Sequence, residues 1–323
     1  SSPGSTMIRS NILWGVKARA ASSIRSSLTG HAPAFGSRKP QPAPSGWSAN
    51  TLGRLNGVRL ASSGTPSLLQ VDISEGIATI TLKDDKKRNA LSSEMMGQLA
   101  DTLNGFQDEK TVKVAILRHD GKVFSSGHDL KELHLRQQTE GSTDPVFSLC
   151  TKLMLSVRRV RYPVIAEIGG LATAGGCQLV ASCDLAIASE DASFATPGVA
   201  IGLFCTTPGV ALARNMHPKQ AMEMLLTGDK IPAKQAVDMG LINKVVPADK
   251  LREATKEIAR KIAAAPSETI KIGKAAFYMQ IATPDLDSAY QFAQGVMVDN
   301  MGRPDATEGI GAFIEKREPK WVS

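Results

Sequence analysis

Apolar positions along the chain change their period several times, and each change predicts an element. Leu68 to Ile73 and Ile77 to Lys83 read as two strands joined across Ser74-Glu75-Gly76, the pattern of a β-hairpin. Met95, Met96, Leu99, Leu103 and Phe106 then recur at helical spacing, and Ser92 or Ser93 can cap the helix they predict. Val112 to His119 is a strand-like run that leads into the glycine turn at Phe124 to Glu132. A helix through Val146 to Val160 is stopped before Pro163, and Val164 to Ile168 is a strand entering a second glycine turn. Pro218 to Leu226 and the runs from Asp249 onward are mostly helical, closing with Asp305 to Lys316. The repeated strand–strand–helix order predicts an α/β fold; periodicity alone goes no further.

Charge divides the chain. The protein has 323 residues and a net charge of +7. Ser1 to Val71 contain no Asp or Glu but eight basic residues, which leaves thirty Lys and Arg against 31 acids and a body near neutrality. A basic, acid-free, Ser- and Ala-rich start resembles a mitochondrial transit peptide. The predicted organisation is therefore a transit peptide and tail over residues 1–66, cleaved between about Ala20 and Ser67, and one domain over 67–323 that acts in the mitochondrial matrix. No run of about 18 uncharged apolar residues is present, so a membrane span is not expected. Cys150, Cys177, Cys183 and Cys205 have neither Cys-x-x-Cys nor secretory spacing and read as small buried hydrophobes. Of these, Cys177 is the one whose place at a helix start could lower its pKa. The five histidines form no ligand constellation, and no metal is predicted.

The chemistry concentrates in the two turns. Gly169-Gly170-Leu171-Ala172-Thr173-Ala174-Gly175-Gly176-Cys177-Gln178-Leu179-Val180-Ala181-Ser182-Cys183-Asp184 is a glycine-softened turn opening into a helix. Peptide N–H groups in a helix's first turn have no intrahelical acceptor and lie at the positive end of the macrodipole, so they can face a developing negative charge. Phe124-Ser125-Ser126-Gly127-His128-Asp129-Leu130-Lys131-Glu132 can supply an opposing donor.

These two turns, in this order and about fifty residues apart, resemble the enoyl-CoA hydratase/isomerase (crotonase) superfamily. Lys87-Arg88-Asn89-Ala90-Leu91 is similar to the family's early CoA loop, and Phe313-Ile314-Glu315-Lys316-Arg317-Glu318-Pro319-Lys320-Trp321 to its C-terminal signature. The resemblance implies a spiral of ββα units over about 67–250 followed by a helical trimerisation segment over about 251–323. It implies a homotrimer or dimer of trimers that binds an acyl-CoA thioester as substrate or ligand and needs no resident cofactor. The backbone N–H groups of His128 and Gly175 would form the oxyanion hole. Asn89, Ala90 and Leu91 would lend backbone to the adenine pocket, and Asp129, Leu130, Lys131 and Lys316 would contact the ligand. Either lysine could pair with a CoA phosphate or simply be a solvated surface residue. Some crotonase-like proteins bind RNA through a lysine-rich helix, but Ser92 to Gln107 here contains no Lys or Arg, which argues against nucleic acid as a partner.

The departures from the family pattern matter as much. Hydratases of the family carry one glutamate where this chain has Gln178 and another where the resemblance puts Gly198. Adding water across a double bond requires activating the water and delivering a proton, and an amide and a hydrogen atom do neither. Gln178 could orient a water or a carbonyl, or merely fill space. His128 could shuttle a proton or pack away from the thioester. Asp129 and Asp184 are expected to cap turns and helices rather than act as bases. Three functions remain open: an acyl-CoA lyase, isomerase or thioesterase working through a stabilised enolate or oxyanion; a non-catalytic acyl-CoA binder or regulator; and a hydratase/isomerase with rearranged acid/base groups.

Overall fold

A computed structural model describes residues 52–55, 58–61, 67–107 and 111–323. The expected transit segment lies outside the described residues, apart from a two-stranded antiparallel ribbon, β1 (Leu52–Leu55) and β2 (Val58–Ala61). The hairpin follows as β3 (Leu69–Ser74) and β4 (Ile77–Leu82), turning on Glu75 and Gly76, both at positive φ, as a two-residue hairpin connection requires.

From there the chain builds two sheets at once. β4, β5 (Val114–His119), β7 (Val164–Ile168) and β9 (Leu185–Ser189) lie parallel in a six-stranded sheet, with β3 on one edge and β12 (Lys244–Val246) on the other. Their short successors β6 (Val123–Ser125), β8 (Leu171–Thr173) and β10 (Ser193–Ala195) pair parallel in a second sheet, closed by the two-residue strand β11 (Ile231–Pro232). Each turn of the spiral therefore contributes one strand to each sheet before its helix. The large sheet is buried on both faces, which explains the apolar start Val114 to Leu117 of β5 and the burial of every residue of β7, Glu167 included. Ala115, Leu117, Ala166 and Ile168 face the main core, while Val114, Ile116 and Ile165 form a second layer.

α1 (Ser93–Gly105) shows why the stripe reading works. Ser92 accepts the N–H of Met95 as its N-cap, and Met95, Met96, Leu99, Leu103 and the following Phe106 are all buried against the sheet. α3 (Asp144–Arg159) packs beside it, and α4 (Gly175–Ser182) is buried along its whole length. α2 (Leu130–Thr139), which the apolar pattern does not announce, buries no residue fully and is held by its Asp129 cap. α5 (Thr206–Leu212), α6 (Pro218–Thr227) and α7 (Ala233–Asp238) complete the body. α8 (Leu251–Ala263) covers the second layer through Leu251 and Ala259. α9 (Ser267–Ala282), α10 (Leu286–Met301) and α11 (Pro304–Glu315) then bury almost none of their own residues. No helix among the described residues is long and apolar enough to cross a membrane.

Candidate active site at two joined turns

The structure brings the two glycine turns into contact. Gly127 has φ 81, and a Cβ there would stand 2.9 Å from the Gly175 nitrogen, the Thr173 oxygen and the Ala174 Cβ. Only glycine lets these backbones approach so closely. Gly175 opens α4, so its N–H has no carbonyl of its own helix to bond. Ala174, just before it, holds φ 49 and ψ −117, a conformation disfavoured for an alanine. It is locked by donating to the Ala195 carbonyl at 2.9 Å and accepting from Gln178 N at 3.0 Å. That strain orients the first peptide of α4, and nothing in the sequence marks it, because the strained residue is an alanine among glycines.

The first turn is held from the other side by Asn89, Ala90 and Leu91. Leu91 N–H donates to the Gly127 carbonyl at 2.7 Å. Asn89 is fully buried; its side-chain amide donates to the Asp120 and Val123 carbonyls at 3.0 and 2.8 Å, and its Oδ1 accepts from Asp84 N at 2.9 Å. The N–H groups of Asn89 and Ala90 donate to Asp84 and Lys87 carbonyls. All three backbone donors are thus spent inside the fold, and a ligand contact by Asn89, Ala90 or Leu91 falls to their carbonyls. Asp129 caps α2 by accepting the N–H groups of Lys131 and Glu132 at 3.0 and 3.2 Å and pairs with Lys87 at 3.5 Å, as expected of a cap and not of a base. Leu130, Lys131 and Lys316 are exposed. Lys316 ends α11 at φ 55, and no hydrogen bond or ion pair among the described residues joins its side chain to the two turns.

His128 is packed. Its ring lies 5.0 Å from that of Phe147 and its Nδ1 3.1 Å from where a Cβ on Gly175 would be. Burial holds the imidazole below the ordinary histidine pKa against the opposing pull of Glu132, so it is neutral at physiological pH, and its buried Nε2 has no partner. Glu132 accepts both the N–H and the hydroxyl of Ser93, tying α2 to the start of α1. Gln178 is 6% exposed, its Oε1 4.0 Å from Cys150 Sγ. Phe147 and Cys150 are neighbours at i, i+3 on α3, facing His128 and Gln178 respectively; this helical spacing was the available signal for two site residues the motifs do not contain.

Gly198 is sealed. A Cβ there would stand 2.8 Å from both Cys205 Sγ and the Leu203 carbonyl oxygen. The chain after it forms a 3₁₀ turn (Pro197–Ile201), and Leu203 N–H closes back on the Gly198 carbonyl at 2.9 Å. No carboxylate side chain fits there without moving residues 203–205. Two further expectations change. Cys177, far from being acidified at its helix start, is wholly buried and pushed up to about 12 by desolvation. Asp184 caps no helix. It accepts Val164 N at 2.7 Å and the Tyr278 hydroxyl at 2.8 Å and forms an ion pair with Lys274 at 2.8 Å.

Two sheets wound by ββα turns, with a donor-bearing turn at the head of a buried helix pressed against a second glycine turn, define a crotonase-type protein. The family model for enoyl-CoA hydratase/isomerase matches residues 72–323, and the chain belongs to that family. Within it, the chain is 50% identical over 247 residues to human enoyl-CoA hydratase domain-containing protein 3, mitochondrial, covering 76% of this chain and 81% of that protein. The zebrafish (Danio rerio) protein of the same name is 44% identical over 267 residues, 82% and 91% of the two chains. The crystal structure of the human protein superposes with a TM-score of 0.76 at 49% identity, covering 79% of this chain and all of that one. An enoyl-CoA hydratase structure from Mycobacterium smegmatis does so at 0.77 and 44%, covering 80% and 100%. These relatives place the chain in a mitochondrial branch of the family, in agreement with the composition of its N-terminus.

Proposed function

We propose that this is a mitochondrial acyl-CoA-handling protein that polarises a thioester without hydrating it. The N–H groups of His128 and Gly175 serve as the oxyanion hole, and Lys131 and Lys316 serve the CoA phosphates. The reading is carried by one observation: the backbone half of the machinery is built with a strained Ala174 and a tightly fitted Gly127, while the second glutamate position, Gly198, is closed by Leu203 and Cys205. Backbone donors aimed at an enolate are each worth about 3 kcal/mol in a transition state, so polarisation remains available. Hydration needs a positioned acid and base, each worth roughly 10²–10⁴ in rate. Asp129 is consumed as a cap, and the neutral His128 ring is the side chain nearest to where a Cβ on Gly175 would stand. No resident cofactor enters this chemistry.

Assembly belongs to the same proposal. α9 buries no residue and α10 only Ala289, yet Phe277, Met279, Tyr290, Met297 and Val298 are exposed there, as is Phe313 on α11. Helices that expose this much apolar surface are built to be covered, and a homotrimer or dimer of trimers covers them. The test is an acyl-CoA panel with calorimetry and mass spectrometry. Binding with a new product peak assigns an enzyme, and binding without turnover assigns a binder or regulator. Crotonyl-CoA hydration at ordinary hydratase rates, or no binding at millimolar thioester, overturns the proposal.

A further inference from the structure

α4 carries two hydrogen-bonding groups on one face, the N–H of Gly175 in its first turn and the side chain of Gln178 three residues on. Gln178 is almost wholly buried, and its carbonyl end is taken: Cys150 Sγ donates to Oε1 at 4.0 Å. Burial pushes the Cys150 thiol up to about 11, which keeps it protonated and a donor. The other end of the amide, Nε2, has no hydrogen-bond partner among the described residues. Nε2 retains some accessible surface, and a ligand that covers it without offering an acceptor leaves a desolvated donor, which is costly. Opposite, the His128 ring faces Gly175, and neither it nor Gln178 is paired with a cation among the described residues.

We propose that Gln178 selects thioesters bearing a carbonyl oxygen at C3, the 3-oxoacyl-CoA class, by donating a hydrogen bond from Nε2 to that oxygen. This rests on the acyl-CoA reading above. A carbonyl accepts and does not donate, which matches a side chain whose one free group is a donor. Three residues advance the helix by about 4.5 Å, so a thioester oxygen at the Gly175 N–H leaves the third carbon of the acyl chain within reach of the Gln178 side chain. A saturated or 2-enoyl chain leaves the amide orphaned, and a carboxylate at C3 meets the neutral His128 ring and the Gln178 amide, neither of which is paired with a cation among the described residues.

The experiment is calorimetric titration of the full-length protein with 3-oxobutyryl-CoA, butyryl-CoA, crotonyl-CoA and malonyl-CoA. We expect 3-oxobutyryl-CoA to bind about tenfold more tightly than each of the other three, the ratio appropriate to one good hydrogen bond. In Gln178→Met, which keeps the volume and removes the donor, the ratio should fall to about twofold or less. Cys150→Ala, which releases Oε1 to compete for the inward position, should reduce it to an intermediate value. Equal affinities in the wild-type protein, or a preference that survives in folded Gln178→Met, overturn the inference. Because the wild-type ratio alone can refute it, a variant that fails to fold leaves it exposed to test. Absence of binding by every thioester refutes instead the acyl-CoA reading on which it rests.

Discussion

The segment around α4 and the three helices that end the chain are built in opposite ways. Every residue of α4 is buried, its first peptide is set by a strained alanine, and the neighbouring turn fits against it with no room for a methyl group. α9 to α11 expose large apolar side chains, with Phe313 85% accessible. The first region is completed by its own chain; on the assembly proposed above, the second is covered by a partner copy. They meet at Asp184. Asp184, two residues beyond α4, holds Lys274 and Tyr278 of α9, and Lys274 also donates to the Val157 and Tyr162 carbonyls at 3.1 and 2.9 Å. Arg158 lies over the Tyr278 ring at 4.5 Å. An organised site and an outward-facing helical arm therefore share one buried ion pair whose ammonium has all its donors used.

That junction offers the strongest way to break the contrast. Lys274→Met should strand a buried Asp184 carboxylate, and removing one partner of such a pair costs about 3–5 kcal/mol. Chemical denaturation should show the loss, with protease sensitivity appearing first near α9. A loss below about 1 kcal/mol would mean that the pair is far more hydrated than its burial indicates.

Next in size is the sealed second glutamate position. Gly198→Ala should cost about 1–3 kcal/mol through contact with the Leu203 carbonyl and Cys205, and the double change Gln178→Glu with Gly198→Glu should restore no crotonyl-CoA hydration. Recovered hydration in the double variant, followed by product assay, would show that residues 203–205 yield more readily than their packing suggests.

Acid should weaken the site region more than the arm. Burial lowers the pKa of His119 and of His128 in the folded state, while the unfolded values lie near 6.5. Below that pH the unfolded chain takes up protons that the folded one refuses, so stability present above about pH 6.5 is lost as pH falls towards the folded-state values. The slope is at most about 1.4 kcal/mol per pH unit for each histidine. Thermal melts of His128→Phe should show a shallower acid limb than wild type; an unchanged limb would remove His128 from the account.

Smallest in stability is a change on the arm itself. Phe313→Ser should alter the fold's own stability by less than about 0.5 kcal/mol, as for other exposed positions, yet shift the oligomer distribution in sedimentation velocity towards smaller species. A drop of several kcal/mol with unchanged mass would place Phe313 in the monomer's own packing instead.

Much of the architecture was legible because local signals and burial agree. The stripe of α1, the strand Val164–Ile168 and the hairpin across Glu75 and Gly76 each express a local signal that the backbone geometry requires. α2 was missed for the complementary reason: a helix held by a cap, with exposed Leu130 and Leu135, carries no apolar stripe to read. The same limit applies to side-chain roles. A helix-start cysteine suggests an acidic thiol, but the desolvation that governs Cys177 comes from neighbours far along the chain.

By itself the sequence determined the hairpin, the stripe of α1, the two donor-bearing turns, the family they belong to and the identities of Gln178 and Gly198, since each is a property of residue identity at short range. Only the tertiary structure decided that Gly127 touches Gly175, that Asn89 spends its side chain inside the fold, that Cys205 and Leu203 close Gly198, and that Cys150 turns the Gln178 amide donor free. Those facts depend on distances between segments tens of residues apart, and such distances are set by how the two sheets wind together.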